Sequence, residues 1–108
     1  MSSPVFVLAM FVAKPGKEKE AEALLKSVVA PTHREPGCLT YALHQRTDQP
    51  GTFYFIEKWR HQDDLNQHLK SAHVQAAFVR KDELFTVADI GFIEPLSGGD
   101  PAKGLLFK

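Results

Sequence analysis

The chain has 108 residues, 44% apolar and 24% charged, a composition typical of one small folded domain. Thirteen basic and thirteen acidic residues give a net charge of zero. That balance argues against nucleic acid or an anionic membrane as a partner, since both usually require a positive surplus. The single cysteine, Cys38, excludes an internal disulfide bond. With no secretory signal recognised, we expect a cytoplasmic protein.

The N-terminal part predicts a strand followed by a helix. Val5 to Ala13 is an apolar run rich in β-formers, and it is far shorter than the ~20 residues of a membrane span. From Lys17 onward, apolar residues recur at steps of three and four, which predicts an amphipathic helix. Pro31 either ends this helix or begins a short second piece through Arg34.

Two alternating segments, Cys38 to Arg46 and Thr52 to Arg60, predict a β-hairpin around a Pro-Gly loop. In the second segment, Glu57 shares one face with three aromatic residues: Phe53, Phe55 and Trp59. In the first segment, three residues are expected to share a face: Leu39, Tyr41 and Leu43.

The remaining segments predict two helices and a last strand. Gln62 to Lys70 is a short amphipathic helix, and Ser71 is a favourable N-cap for another helix, roughly Ala72 to Lys81. Leu84 to Ile93 predicts a strand that is apolar on both faces except at Asp89.

The resulting order β-α-β-β-α-α-β is the ferredoxin-like α+β plan, an antiparallel sheet with helices on one face. We expect residues 1–94 to form this domain and residues 95–108 to form a tail. The apolar tip of the tail, 105–107, is expected to dock on the domain or elsewhere.

Both faces of the predicted sheet are apolar. The first strand alone offers two apolar sets: Val5, Val7, Ala9 and Phe11 on one side, and Phe6, Leu8, Met10 and Val12 on the other. The helices cover one face, and the second would expose a larger apolar patch than monomers usually tolerate. We therefore expect a homodimer with sheet facing sheet across a two-fold axis. Coverage by the tail is the alternative.

Three residues are candidate proton acceptors or donors. Glu57 lies between Phe55 and Trp59, where burial raises a carboxyl pKa towards neutral; an ion pair at the strand end is the alternative. His68 lies on the inward stripe of its helix, as a base or as a hydrogen-bonded core histidine. His73 opens the next helix, as a pocket base or a hydrogen-bond donor.

A shared metal site is not predicted for the two histidines. In an unbroken helix their side chains would point about 140° apart. No zinc spacing, phosphate loop or nucleophile elbow is present either. The residues therefore predict no metal site.

Aromatic residues predict a pocket for a flat ligand, although ordinary core packing is the alternative. The candidate substrate-binding residues are Trp59, Phe55, Tyr41 and Phe78.

Five stretches carry a resemblance to a known family: Ala13-Lys-Pro-Gly-Lys17, Val29-Ala-Pro-Thr32, Glu35-Pro-Gly-Cys38 leading into Tyr41, Glu57-Lys-Trp59 and His68-Leu-Lys-Ser-Ala-His73. In order and spacing they resemble the antibiotic biosynthesis monooxygenase family, from Val5 to about Ile93. The resemblance implies a dimeric α+β barrel.

Members of that family include quinol monooxygenases. A quinol can itself reduce O₂, so the protein needs only a base and an apolar cavity. The resemblance therefore implies a cofactor-free monooxygenase that oxidises a small aromatic or quinol-type substrate with O₂. Trp59 and Phe55 would hold the ring, with His73, His68 or Glu57 as the base.

Other functions stay open. An isomerase or signal-degrading enzyme on this scaffold would act without O₂, and a phosphorylated ligand would need Lys58, Arg60 or Arg80. A non-catalytic small-molecule-binding or stress protein is a further alternative. Heme-degrading relatives use an Asn-Trp-His set, and because the only asparagine is Asn66, on a helix, heme degradation is disfavoured.

Overall fold

The computed structural model describes residues 3–106. Its strands are β1 (Val5–Ala13), β2 (Cys38–Gln45), β3 (Thr52–Trp59) and β4 (Phe85–Ile93). Its helices are α1 (Glu18–Ser27), α2 (Val29–His33), α3 (Gln62–Lys70), α4 (Ala72–Phe78), α5 (Lys81–Leu84) and α6 (Pro101–Gly104). The predicted order is confirmed, and α5 and α6 are short helical turns that the sequence did not predict.

The four strands form one antiparallel sheet in the order β2-β3-β1-β4. The register of β1 with β3 pairs Val7 with Glu57 and Ala9 with Phe55. Directly paired residues point to the same face of a sheet. The buried members of the central strands therefore share one inner face, and the helices pack on that face.

The inner face of β3 is as predicted. Phe53, Phe55, Glu57 and Trp59 are all buried, and of the alternate residues Thr52 is buried while the other three are only partly buried. Leu25 of α1, Leu65 of α3 and Leu84 of α5 close the core from the helical side. Each of these leucines is at most 4% exposed.

One facing prediction in β2 is wrong. Leu39 does not share the face of Tyr41, because the ladder pairs Cys38 with Trp59 and Thr40 with Lys58. Leu39 is therefore the extra residue of a β-bulge, and it is 53% exposed. The bulge keeps both of its flanking strand segments in register with β3, so Tyr41 lies directly opposite Glu57.

The helix boundaries differ in two places from the predicted ones. Pro31 lies in α2, so the alternative of a short second piece is confirmed, but the piece begins at Val29 and not at Pro31, and it ends at His33. The helix after Ser71 ends at Phe78 instead of Lys81, and α5 then leads directly into β4.

The outer face of the sheet is apolar along β1 but also carries the charged Lys58 and Asp89, and the described helices that close the core pack on the opposite face. Leu8 and Val87 are each 38% exposed there, and Ile93 is 41% exposed. Lys58 lies on the same face, with its Nζ 5.8 Å from the centre of the Phe6 ring. The described part of the chain contains no helix long and apolar enough to cross a bilayer.

The tail contains one helical turn, α6, whose N-cap Asp100 accepts a hydrogen bond from the Ala102 amide. Leu106 is 73% exposed. Phe107, part of the tip predicted to dock, lies outside the described residues, and that docking stays a prediction.

Candidate active site

A cavity lies between the inner face of the sheet and helices α1, α3 and α4. It offers about 60 Å³ to the centres of water-sized molecules. At roughly 10–15 Å³ each, this is space for about four to six waters. Its walls are mostly apolar, and the polar side chains among its described lining residues are Tyr41, Glu57, His68 and Lys81.

Three of the four predicted substrate-binding residues line this cavity: Tyr41, Phe55 and Phe78. The Tyr41 and Phe55 rings stack with their centres 4.4 Å apart and form a flat aromatic wall. Phe78 is 38% exposed and lies on α4. The cavity thus has a fixed aromatic side and a more exposed side.

Trp59, the fourth predicted residue, is fully buried and is not among the described residues that line the cavity. Its ring centre lies 4.6 Å from that of His68. Its Nε1 donates a hydrogen bond to Glu57 Oε1 at 2.9 Å. Trp59 therefore supports two polar residues of the cavity from behind.

Glu57 is 5% exposed and has no Lys or Arg partner among the described ion pairs. Burial raises the pKa of Glu57 to about 7; the hydrogen bond from Trp59 opposes this rise, and the charge of Glu35 adds to it. The structure therefore agrees with a buried carboxyl, and not with the alternative of a strand-end ion pair.

His68 and His73 converge on one carboxylate oxygen. Nδ1 of His68 and Nε2 of His73 each lie 2.8 Å from Glu35 Oε2. An ionised carboxylate only accepts hydrogen bonds, so each ring donates an N–H to it. This fixes the tautomer of His68, with the proton on Nδ1 and the lone pair on Nε2.

His68 is the polar group that joins this cluster to the cavity. Its side chain is 5% exposed, whereas that of His73 is 21% exposed. Burial lowers the pKa of His68, and the hydrogen bond and charge of Glu35 act in the opposite direction. His73 is not among the described lining residues, and it reaches the cluster through Glu35 Oε2.

The break in the helix brings the two histidines together. Ser71 has an extended backbone, with φ −65° and ψ 153°, and its hydroxyl caps α4 by accepting from the Val74 amide. The rings of His68 and His73 are consequently 6.0 Å apart between centres. The prediction that the two side chains point apart assumed an unbroken helix, and the break makes it wrong.

Sequence reasoning missed Glu35 as a functional residue. It lies just before the turn into β2, 33 residues from His68, so no local periodicity links the two. The available signals were the stretch from Glu35 to Cys38 and the N-cap at Ser71. The stretch puts a carboxylate just before β2, and the N-cap predicts a helix break between His68 and His73.

The predicted basic residues for a phosphorylated ligand lie elsewhere. Lys58 is on the outer face, Arg60 pairs with Asp64, and Arg80 pairs with acidic residues of α1 and α5. Lys81 is the cation among the described lining residues.

Cys38 is half-buried, and burial raises the pKa of its thiol to about 11, with the charges of Glu35 and Glu57 adding to the rise. A reactive thiolate is therefore not favoured at this position. Of the other histidines, His33 bonds the Tyr41 carbonyl at 2.9 Å, and His44 is exposed.

The fold and the cavity define a class: a ferredoxin-like α+β domain with a small aromatic cavity under its helices. The chain belongs to the family described as "Antibiotic biosynthesis monooxygenase", which its residues 4–80 match. This confirms the family inferred from the five short stretches.

Three other proteins are similar to this chain in sequence. "Putative monooxygenase Rv0793" of Mycobacterium tuberculosis is 34% identical over 86 residues, 80% of this chain and 84% of that protein. "Putative monooxygenase YcnE" of Bacillus subtilis is 27% identical over 82 residues, 76% of this chain and 86% of that one. "Uncharacterized protein sll1783" of Synechocystis is 31% identical over 78 residues, 72% of this chain; the match spans 52% of that protein, about half its length.

Two solved structures share the fold. PA3566 from Pseudomonas aeruginosa has a TM-score of 0.82 and 36% identity, covering 90% of this chain and 98% of that one. Rv0793 has a TM-score of 0.81 and 30% identity, covering 91% and 100%. The α+β architecture predicted from the sequence is thus confirmed.

Proposed function

We propose that this protein is a cofactor-free monooxygenase that oxidises a small aromatic, quinol-type substrate with O₂. The observation that carries the proposal is the cavity that places His68, oriented by Glu35, beside a wall of stacked aromatic rings. The names of two relatives describe monooxygenases, which supports the same class of reaction.

The first step is proton transfer. Nδ1 of His68 is held by Glu35, so Nε2 is the nitrogen available to take a hydroxyl proton from a substrate in the cavity. Glu35 sets the tautomer and stabilises the imidazolium that forms. We therefore assign His68 as the base and Glu35 and Trp59 as its positioning residues.

The oxidation that follows needs no reductant other than the substrate itself. A quinolate gives electrons to O₂, one oxygen atom enters the ring and the other leaves as water, so that a hydroquinone and O₂ yield a hydroxyquinone and water. The mostly apolar walls keep water away from the intermediates. Glu57, buried beside the ring wall, is a second proton acceptor or donor in the same cavity.

The cavity volume restricts the substrate. Space for about four to six waters accommodates one aromatic ring, and the exposed Phe78 side is where a second ring would extend. Small hydroquinones and naphthohydroquinones are therefore the substrates to test first.

We also propose that the protein is a homodimer through the outer face of the sheet. That face is apolar at its centre and bears no helix. Burying such a surface against its symmetric copy removes it from water without blocking the cavity, which lies on the opposite face.

The assay is O₂ uptake with a naphthohydroquinone, corrected for spontaneous oxidation. His68→Gln should lower kcat by about 100-fold or more, in the range of a lost general base. Glu35→Gln should lower it about 10-fold, since it leaves the imidazole in place but loses its orienting charge.

The control is His44→Gln, which changes an exposed histidine on β2. It should behave as the wild type. Equal turnover of wild type and His68→Gln, or product formation without O₂, would contradict the proposed reaction.

A further inference from the structure

We infer that Glu35, His68 and His73 form a binding site for one divalent first-row transition-metal ion. The site is distinct from the cavity, because the ion would take the nitrogen of His68 that faces Glu35. The proposed oxidation does not require the ion, and an ion on Nδ1 would inhibit it, because the proton of His68 would then lie on Nε2.

The first argument is convergence. One ligand atom from each of the three residues lies within 4.8 Å of the other two. The three side chains come from separate parts of the fold: the turn before β2, α3 and α4. Two imidazole nitrogens and one carboxylate oxygen, with further positions left open, are the donor set of many protein metal centres.

The second argument is distance. Metal–ligand bonds of about 2.1 Å place neighbouring ligands of an octahedral ion roughly 3.0 Å apart and those of a tetrahedral ion roughly 3.4 Å apart. Both histidine nitrogens now lie 2.8 Å from Glu35 Oε2. The two nitrogen–oxygen distances therefore need to change by only a few tenths of an ångström to hold a six-coordinate ion. The two histidine nitrogens, which lie within 4.8 Å of each other, would move to about 3.0 Å apart, with the three residues on one face of the octahedron.

The third argument is charge. The described ion pairs of Glu35 are with histidines and include no Lys or Arg, although its side chain is only 17% exposed. A carboxylate held in this way is poorly neutralised, and a divalent cation supplies the missing charge. Each neutral imidazole can carry its proton on its other nitrogen, so both coordinating nitrogens become available without proton release.

The fourth argument is access. Glu35 and Ser71 line a surface groove whose residues are mostly polar or charged, so an ion can reach the cluster without crossing the apolar cavity. The Ser71 hydroxyl is 3.2 Å from Nε2 of His73 and borders the open side of the cluster. Water molecules from the groove would fill the remaining coordination positions.

The test is titration of untagged, EDTA-treated protein with Co²⁺, followed by calorimetry and by visible absorption. We expect one Co²⁺ per chain and the weak d–d absorption of a six-coordinate ion. Glu35→Gln and His73→Gln should each weaken binding at least about 10-fold. His73 is partly exposed, so its replacement is expected to leave the fold intact, which circular dichroism checks for both variants.

The matched control is His44→Gln, an exposed histidine outside the cluster, which should bind Co²⁺ as the wild type does. Absence of Co²⁺ binding by the wild type would overturn the inference. So would unchanged binding by folded Glu35→Gln and His73→Gln, or loss of binding in the control. Because the readout is binding, it stands or falls separately from the proposed oxidation.

Discussion

At the scale of single residues, the burial of Glu57 makes the free energy of unfolding depend on pH. The folded protein holds the proton of Glu57 more tightly than the unfolded chain does, because the pKa of this carboxyl is about 7 in the fold and about 4.5 when it is exposed to water. The stability that this proton provides is therefore complete below about pH 4.5 and is lost as the pH rises through 7. The titratable groups facing Glu57 are Tyr41, Cys38, Glu35 and His68.

Replacing Glu57 by glutamine, which mimics the protonated acid, should remove this pH dependence. We expect the variant to match the wild type near pH 4.5 and to exceed it by about 3 kcal/mol in unfolding free energy at pH 8, since each pH unit corresponds to about 1.4 kcal/mol. Urea unfolding across that pH range measures the difference. The exposed Glu94→Gln serves as the control, and a constant difference between Glu57→Gln and the wild type would contradict the prediction.

At the scale of elements, the junction between α3 and α4 determines the geometry of the site. Ser71 ends one helix, caps the next and donates a hydrogen bond to the His68 carbonyl at 2.6 Å. An unbroken helix would carry His73 away from His68, so the cap is a structural requirement of the histidine cluster.

Ser71→Ala should lower the unfolding free energy by about 1 kcal/mol, the usual cost of a lost N-cap. For a domain of this size that is a fall of roughly 4–8 °C in Tm, measured by circular dichroism. Ser71→Thr keeps a capping hydroxyl and should stay close to the wild type. A Tm for Ser71→Ala equal to that of the wild type would show that the cap contributes nothing to this junction.

Strands were predictable from the sequence where a single local pattern determines their bounds and their buried face. The alternation in β3 put Phe55 and Glu57 on the buried face, and the apolar run of β1 gave its bounds without error. The exposed Leu39 was not predictable, because a bulge is decided by pairing with β3 and not by the alternation of β2 itself. Glu35 was missed for a related reason, since its role arises from contacts 33 and 38 residues away.

At the scale of the whole molecule, the two faces of the sheet have different roles. The inner face carries the core, the cavity and the polar cluster, all held by the helices. The outer face has partly exposed apolar side chains, with Leu8 near its centre and Ile93 at the far end of β4. The cost of leaving this face in water is the argument for a dimer.

A charge at the centre of the outer face should therefore separate the subunits. Leu8→Lys is expected to convert a dimer to a monomer in light scattering coupled to size exclusion, because two ammonium groups would be buried close to each other near the two-fold axis. Val79→Lys is the matched control, since Val79 is 83% exposed but lies just after α4 on the helical side of the sheet. It should remain dimeric. If the wild type itself runs as a monomer, or if both lysine variants dissociate alike, the outer face is not the interface.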